Sequence, residues 1–335
     1  MKRKGTDRTG VVTTKEKITV HYNNKKKVSL LQDIARNKFS YIIALPALLY
    51  VFIFSYMAYP YMLIAFQRYD YRNNSIFDII FRAKWVGFNN FKFFFQSQNA
   101  FRVTYNTIYL NVLFILTGTI MAVVLALLLN ELRCKWFVKT TQSVMLFPSY
   151  ISWIMVSYIL ISLFSTEYGL VNSILKSIGM ETVNWYTNPD VWPVILVFMR
   201  IWKGAGMSAI IFLASITGID DSLYEAASID GAGRLHKVFR ITIPLIMPTI
   251  IIMTLLSLGK IMYGDFGMIY ALVGDNGTLY KTTDIIDTYI FRSMRQVGDM
   301  SQSTAIGLFQ SGIGFIMVYG SNWLTRKFYP DGALY

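Results

Sequence analysis

The sequence predicts an all-α membrane protein with about six transmembrane helices, and three observations carry that prediction. Hydrophobic residues make up 54% of the 335 positions and charged residues only 15%, where soluble domains carry close to a quarter. The apolar residues fall in separate runs, at roughly 41–66, 106–129, 142–164, 191–216, 244–264 and 302–322. Each run is near the ~20 residues that cross a ~30 Å hydrocarbon layer. The basic residues, finally, sort by loop as the positive-inside rule requires, with one loop excepted.

In chain order, the first element is a basic tail, residues 1–38. Eleven Lys and Arg stand there against Asp7, Glu16 and Asp33, a net charge of +8. The tail is read as cytosolic; the alternatives for it are binding to anionic membrane lipid, at about 1 kcal/mol per charge near the surface, or disorder alone. No signal peptide is predicted, because the charged region is too long and no small-residue cleavage site follows. Residues 39–335 form the membrane domain. Six spans return the C-terminus to the cytosolic side, where Arg326 and Lys327 follow the last run. Arg133, Lys135 and Lys139 in the second loop, and Arg234, Lys237 and Arg240 in the fourth, agree with that orientation. The formal charge of +13 therefore reflects topology, and no nucleic-acid partner is expected.

One loop runs against the rule. Residues 67–105 carry Arg68, Arg72, Arg82, Lys84, Lys92 and Arg102 on the predicted outside. A small extracytoplasmic structure is expected there, with FNNFKFFF, 88–95, as an amphipathic segment along the interface. The other outside loops lean acidic, through Glu167, Glu181 and Asp190 and through Asp275, Asp284, Asp287 and Asp299. The single cysteine, Cys134, and two distant histidines, His21 and His236, leave no disulfide within the chain and no metal site.

The segment 218–243 is a polar insert between two apolar runs. Ser222 and Glu225 have capping-box spacing, so Ser222 is expected to cap a helix through about Asp230. Gly231 falls where a helix ends with a left-handed residue. A second short helix, Arg234 to Arg240, leads to Pro244 in the first turn of the fifth span.

Glu225-Ala226-Ala227, Asp230-Gly231-Ala232, Phe239, Ile243-Pro244 and Pro248 together resemble the signature loop of permease subunits in binding-protein-dependent ABC importers. YGLVNSILKSIGM at 168–180 with Trp185, DFGMIYALV at 265–273, TTDIIDTYIFR at 282–292 and the terminal NWLTRKFYPDGALY are similar to the sugar-type, oligosaccharide and polysaccharide branch of that family. The resemblance covers most of residues 40–335. It implies a type I importer permease in the cytoplasmic membrane, with both termini cytoplasmic. The loop 222–240 would be the coupling helix, docking in a cleft on a cytoplasmic ATPase. The implied partners are a second homologous permease, two ATPase subunits, an extracytoplasmic solute-binding protein and an oligosaccharide. This chain itself would be neither an enzyme nor a cofactor protein, with ATP and magnesium held on the ATPase.

Small Ala226, Ala227 and Gly231 suit close approach by a partner backbone. GDNGTLYKTT, 274–283, is not a phosphate loop, because three residues separate Gly277 from Lys281 where the lysine must follow the glycine directly.

Arg200 and Lys203, three residues apart in the fourth span, share a helical face. A charge at mid-bilayer costs at least ~2.5 kcal/mol and usually meets a water-filled path or a partner. With Trp202, Asp265 and Gln310 they are the candidate lining of a sugar route. If both cations line it, an anionic sugar such as a uronate is favoured. The alternatives are that Arg200 snorkels to the interface and that Lys203 pairs with Asp265. Asn106 and Asn111 are expected to bond between helices, and Gly312 and Gly314 to permit close packing. The rival functions are a membrane-embedded enzyme, for which no His, Cys or acidic cluster is evident, and a self-sufficient secondary transporter, which leaves the polar insert unexplained.

Overall fold

A computed structural model describes residues 30–69 and 77–328. Most of the basic tail and the terminal DGALY lie outside those residues. By internal packing the chain divides into Met1–Tyr59 and Pro60–Tyr335.

In the first unit, helix α1 (Leu30–Arg36) is followed by α2 (Lys38–Val51) and a π-turn, Phe52–Tyr56. The Asp33 carboxylate accepts from Asn37 at 2.8 Å and from the Tyr41 hydroxyl at 2.7 Å, which pins α1 to α2. No residue of α2 is buried within the chain, as suits an apolar helix whose surroundings are lipid or another subunit.

Among its described residues the second unit consists of helices and the turns that join them, with a single bridge between Gln67 and Trp85. Its helices are α3 (Asn89–Gln96), α4 (Gln98–Asn130), α5 (Lys135–Tyr150), α6 (Trp153–Phe164), α7 (Leu170–Ser177), α8 (Trp192–Thr217), α9 (Asp221–Ile229), α10 (Arg234–Lys237), α11 (Ile243–Leu258), α12 (Phe266–Val273), α13 (Tyr280–Thr283), α14 (Ile286–Arg292) and α15 (Met300–Phe328). Segments long and apolar enough to span are Lys38–Phe66, Gln98–Asn130, Pro189–Thr217, Arg234–Leu258 and Met300–Lys327, with a sixth if the bent pair α5 and α6 counts as one. Five of the six predicted runs correspond to these spans, and the bent pair covers the other.

The third run is not straight. α5 and α6 meet at 95°. Ile151 is extended, with ψ 133°, and Ser152 caps α6 by accepting from Met155 N. Pro148, one turn before the bend, cannot donate to the helix ladder. An apolar run of spanning length does not reveal such a break.

α4 and α8 form the centre of this unit. Ala122 and Ala126 face Ala209 and Phe212, with Ile246 of α11 closing the cluster; small residues let such helices approach. A second cluster seats Trp192 and Leu196 against Leu110, Leu160 and Met268. A third packs Phe94 of α3 with Met262, Ile286 and Ile306.

The basic loop 67–105 meets its counter-charge here. Buried Asp284 accepts from Arg102 at 3.3 Å, Arg292 at 2.7 Å and the Thr288 hydroxyl at 2.9 Å. An arginine that violates the charge rule is therefore paired with an acidic loop. Asn106 donates to the carbonyls of Lys281 and Asp284, and Asn111 to those of Thr107 and Ile261, so both asparagines join α4 to later segments.

Candidate functional site

The insert 218–243 folds as a hairpin of two helices about a glycine. α9 begins earlier than the capping-box spacing suggests. Its cap is Asp220, whose carboxylate accepts from Ser222 N at 2.9 Å. Ser222 sits inside the first turn, and Glu225 makes no return bond to a cap. An aspartate two residues upstream can take the first free amide directly, which displaces the serine from the capping position. The Ser222 amide, then its hydroxyl, hold the Asp220 carboxyl below the usual carboxylate range. The helix carries Glu225, Ala226 and Ala227 and ends at Asp230 as its C-cap.

Gly231 has φ +77°, in the left-handed region that a glycine enters without penalty. Ala232 N donates to Ala227 O at 2.8 Å and Gly231 N to Ser228 O at 3.1 Å, closing the turn as helix C-caps do. The second helix does not stop before Pro244. α10 passes through a π-turn, Val238–Thr242, into α11 as one continuous segment. The widened turn accommodates a proline that has no N–H to give and whose ring crowds the preceding turn.

The second region is a cavity of about 670 Å³ walled by α4, α8, α11 and the turn that follows. Its polar lining includes Asn111, Thr119, Arg200, Ser208, Ser257, Lys260, Tyr263 and Asp265. Arg200 and Asp265 are brought together as an ion pair. Asp265 also caps α12, accepting from Met268 N at 3.0 Å. The partner of Asp265 is thus Arg200 and not Lys203.

Lys203 points elsewhere. Its ammonium donates to the carbonyls of Pro148 at 3.2 Å, Ser149 at 2.9 Å and Ile151, and lies 5.2 Å from the centre of the Trp153 ring. The Ser149 hydroxyl donates in return to Lys203 O at 2.8 Å. These carbonyls lie at the C-terminus of α5, where most carbonyls have no partner within the helix; the Pro148 carbonyl also accepts from Ile151 N at 3.2 Å, and a cation there meets the negative end of the helix dipole. Trp202 is 39% exposed and is not part of the cavity wall. Gln310 is buried and also outside the cavity lining, donating to Met262 O and at 3.1 Å to Asp287. Of the five candidate route residues, the geometry gathers Arg200 and Asp265 and directs the other three away.

Lys260, Tyr263 and Asn111 line the cavity without having been singled out for it. The clustered glycines and charges of GKIMYGD, 259–265, were a readable sign that the fifth helix breaks there. Lys260 is exposed and forms no ion pair among the described residues. Those residues also contain no group of three His, Cys, Asp or Glu side chains placed to hold a metal.

The family described as binding-protein-dependent transport system inner membrane component matches residues 25–328. Protein LplB of Bacillus subtilis is 34% identical over 307 residues, covering 92% of this chain and 94% of that protein. The polygalacturonan/rhamnogalacturonan transport system permease protein YteP of the same organism is 34% identical, covering 93% and 95%. A chain in the crystal structure of a bacterial ABC transporter involved in the import of the acidic polysaccharide alginate superposes with a TM-score of 0.80 at 33% identity, over 90% of this chain and 99% of that one.

Proposed function

The chain belongs to the binding-protein-dependent transport system inner membrane component family, and from that premise we propose that it carries acidic oligosaccharides, uronates among them, inward across the cytoplasmic membrane on energy supplied by a separate ATPase. A permease of a sugar or oligosaccharide ABC importer is what its family and relatives make it. Acidity of the cargo and coupling through α9 are the steps beyond that.

One observation carries the coupling. The α9–Gly231–α10 hairpin lies between α8 and α11 in the chain, and both of those helices wall the cavity. A displacement of the hairpin therefore acts on the cavity through its two flanking helices. On this reading α9 sits in a cleft of a cytoplasmic ATPase, and a second permease contributes its own coupling helix. ATP and magnesium bind on the ATPases. An extracytoplasmic solute-binding protein delivers the sugar. Closure of the ATPase pair on ATP moves both coupling helices, the spans open outward to receive the sugar, and hydrolysis resets them. Two sites and two global states are thereby linked by a defined contact, as a coupling argument needs.

Support for an acidic cargo is chemical. Arg200 is neutralised by Asp265, which leaves the Lys260 ammonium as a cation available to a carboxylate in the cavity. YteP is named for polygalacturonan and rhamnogalacturonan, and the structural relative for alginate.

The test is co-purification in mild detergent from the native host, with a Gly231→Trp variant alongside. Recovery of a second permease and an ATPase with the wild type, and loss of the ATPase with the variant, is the expected result. A wild type that emerges alone and still transports would overturn this reading in favour of a self-sufficient secondary transporter.

A further inference from the structure

We propose that Tyr224 is a positioning residue whose hydroxyl bond to Thr242 fastens the coupling helix to the foot of α11, so that the two move as one body. This rests on α9 being the ATPase docking helix. Its content is separate: which bond carries the movement onward.

Two side-chain straps cross the hairpin. Lys237 donates to the Ser228 hydroxyl at 2.6 Å, between two groups open to solvent. Water competes for both partners there, and such a bond holds little. The Tyr224 hydroxyl lies 2.9 Å from the Thr242 hydroxyl. Thr242 is only 3% exposed and both partners line a second cavity of about 520 Å³, so water replaces a lost partner less readily here than on the open surface. Thr242 also approaches Lys237 O at 3.4 Å, across the π-turn. The strap thus ends on the one irregular turn between α10 and α11, where a pull would otherwise be absorbed.

The lever is readable from the elements. α9 is anchored at Tyr224, seven residues before the left-handed Gly231. Without the strap, α9 would swing about that glycine and leave α11 behind. With it, movement reaches the foot of α11, whose 16 residues span ~24 Å at 1.5 Å per residue. At the far end stand Ser257 and the turn bearing Lys260 and Tyr263, in the cavity wall.

The experiment uses the complete importer in proteoliposomes. Sugar transported per ATP hydrolysed is measured for wild type, Tyr224→Phe, Thr242→Val, the double variant and Thr242→Ser. Each preparation is first checked for stoichiometric ATPase. The expected result is a ratio lowered at least about threefold by Tyr224→Phe and by Thr242→Val, no further loss in the double variant because one bond is shared, and retention in Thr242→Ser. An unchanged ratio in Tyr224→Phe, or losses that multiply in the double variant, overturns the proposal. Loss of the ATPase in Tyr224→Phe also overturns it, because Tyr224 would then be a docking contact. Absence of the ATPase from the wild type instead defeats the coupling reading itself.

Discussion

Asp265 holds two groups at once: one carboxylate oxygen receives the Arg200 guanidinium, and the other receives Met268 N at 3.0 Å as the cap of α12. The pair joins α8 to the segment beyond the break in the fifth helix, at the cavity wall.

Asp265→Asn keeps the cap, since asparagine caps as well as aspartate, but releases an unneutralised guanidinium into the cavity. Arg200→Gln does the reverse and leaves a carboxylate. The Arg200 side chain is 46% exposed, so each change is worth about 0.5–1 kcal/mol after screening. In competition uptake, Asp265→Asn is expected to raise preference for acidic over neutral oligosaccharides about two- to fivefold, and Arg200→Gln to lower it. Equal effects on both sugar classes would count against an acidic route.

Lys203 gives a contrasting prediction. Lys203→Met removes the donor shared by three carbonyls at the α5–α6 bend. Stability of the assembled complex should fall by about 2 kcal/mol, seen as a lower unfolding midpoint in detergent, with Lys203→Arg losing less. Sugar preference should stay unchanged. A shifted preference with an unshifted midpoint would return Lys203 to the route.

The two cations three residues apart show what the sequence made legible. Their shared face, and the need for each to find a partner, followed from helical spacing and bilayer cost. Which partner each finds did not, because that depends on the 95° bend between α5 and α6. That bend brings the carbonyls of Pro148, Ser149 and Ile151 within reach of the Lys203 ammonium, and hydropathy is blind to it. The hairpin was more legible: Gly231 and the helices around it follow from local rules. The spacing points to Ser222 as the cap, and the structure puts Asp220 there, because two acceptors two residues apart compete for the same first-turn amides. The place of Lys260 in the cavity wall depends on the break after Leu258, which hydropathy alone does not reveal.

The Asp220 cap makes α9 sensitive to acid. The folded state holds this carboxyl below its ordinary range, chiefly through the Ser222 amide. A depressed acid contributes stability above its unfolded pKa and loses it as pH falls through the folded value. Protection of the first α9 amides against hydrogen exchange, corrected for intrinsic rates, should therefore decline below about pH 4. Asp220→Asn keeps a cap that does not titrate and should remove that decline. An identical acid response in the variant would show that another group governs it.

Close packing of spans is the last prediction. Gly312 and Gly314 attract attention in the sequence, yet a Cβ at Gly312 would meet nothing within 4 Å, and one at Gly314 only ordinary contacts, with Tyr263 at 3.5 Å and Gly259 O at 4.0 Å. A Cβ at Gly206 would fall 2.2 Å from Met145 O, a backbone atom that cannot turn aside. α8 meets the backbone of α5 there, one turn from Lys203. Gly206→Ala should force the helices apart at about 1–3 kcal/mol, read as a lower unfolding midpoint. Gly312→Ala should be neutral or slightly stabilising, because alanine is the better helix former. Equal loss in the two variants would mean that Gly312 is packed by a partner subunit and that the α5–α8 contact is not special.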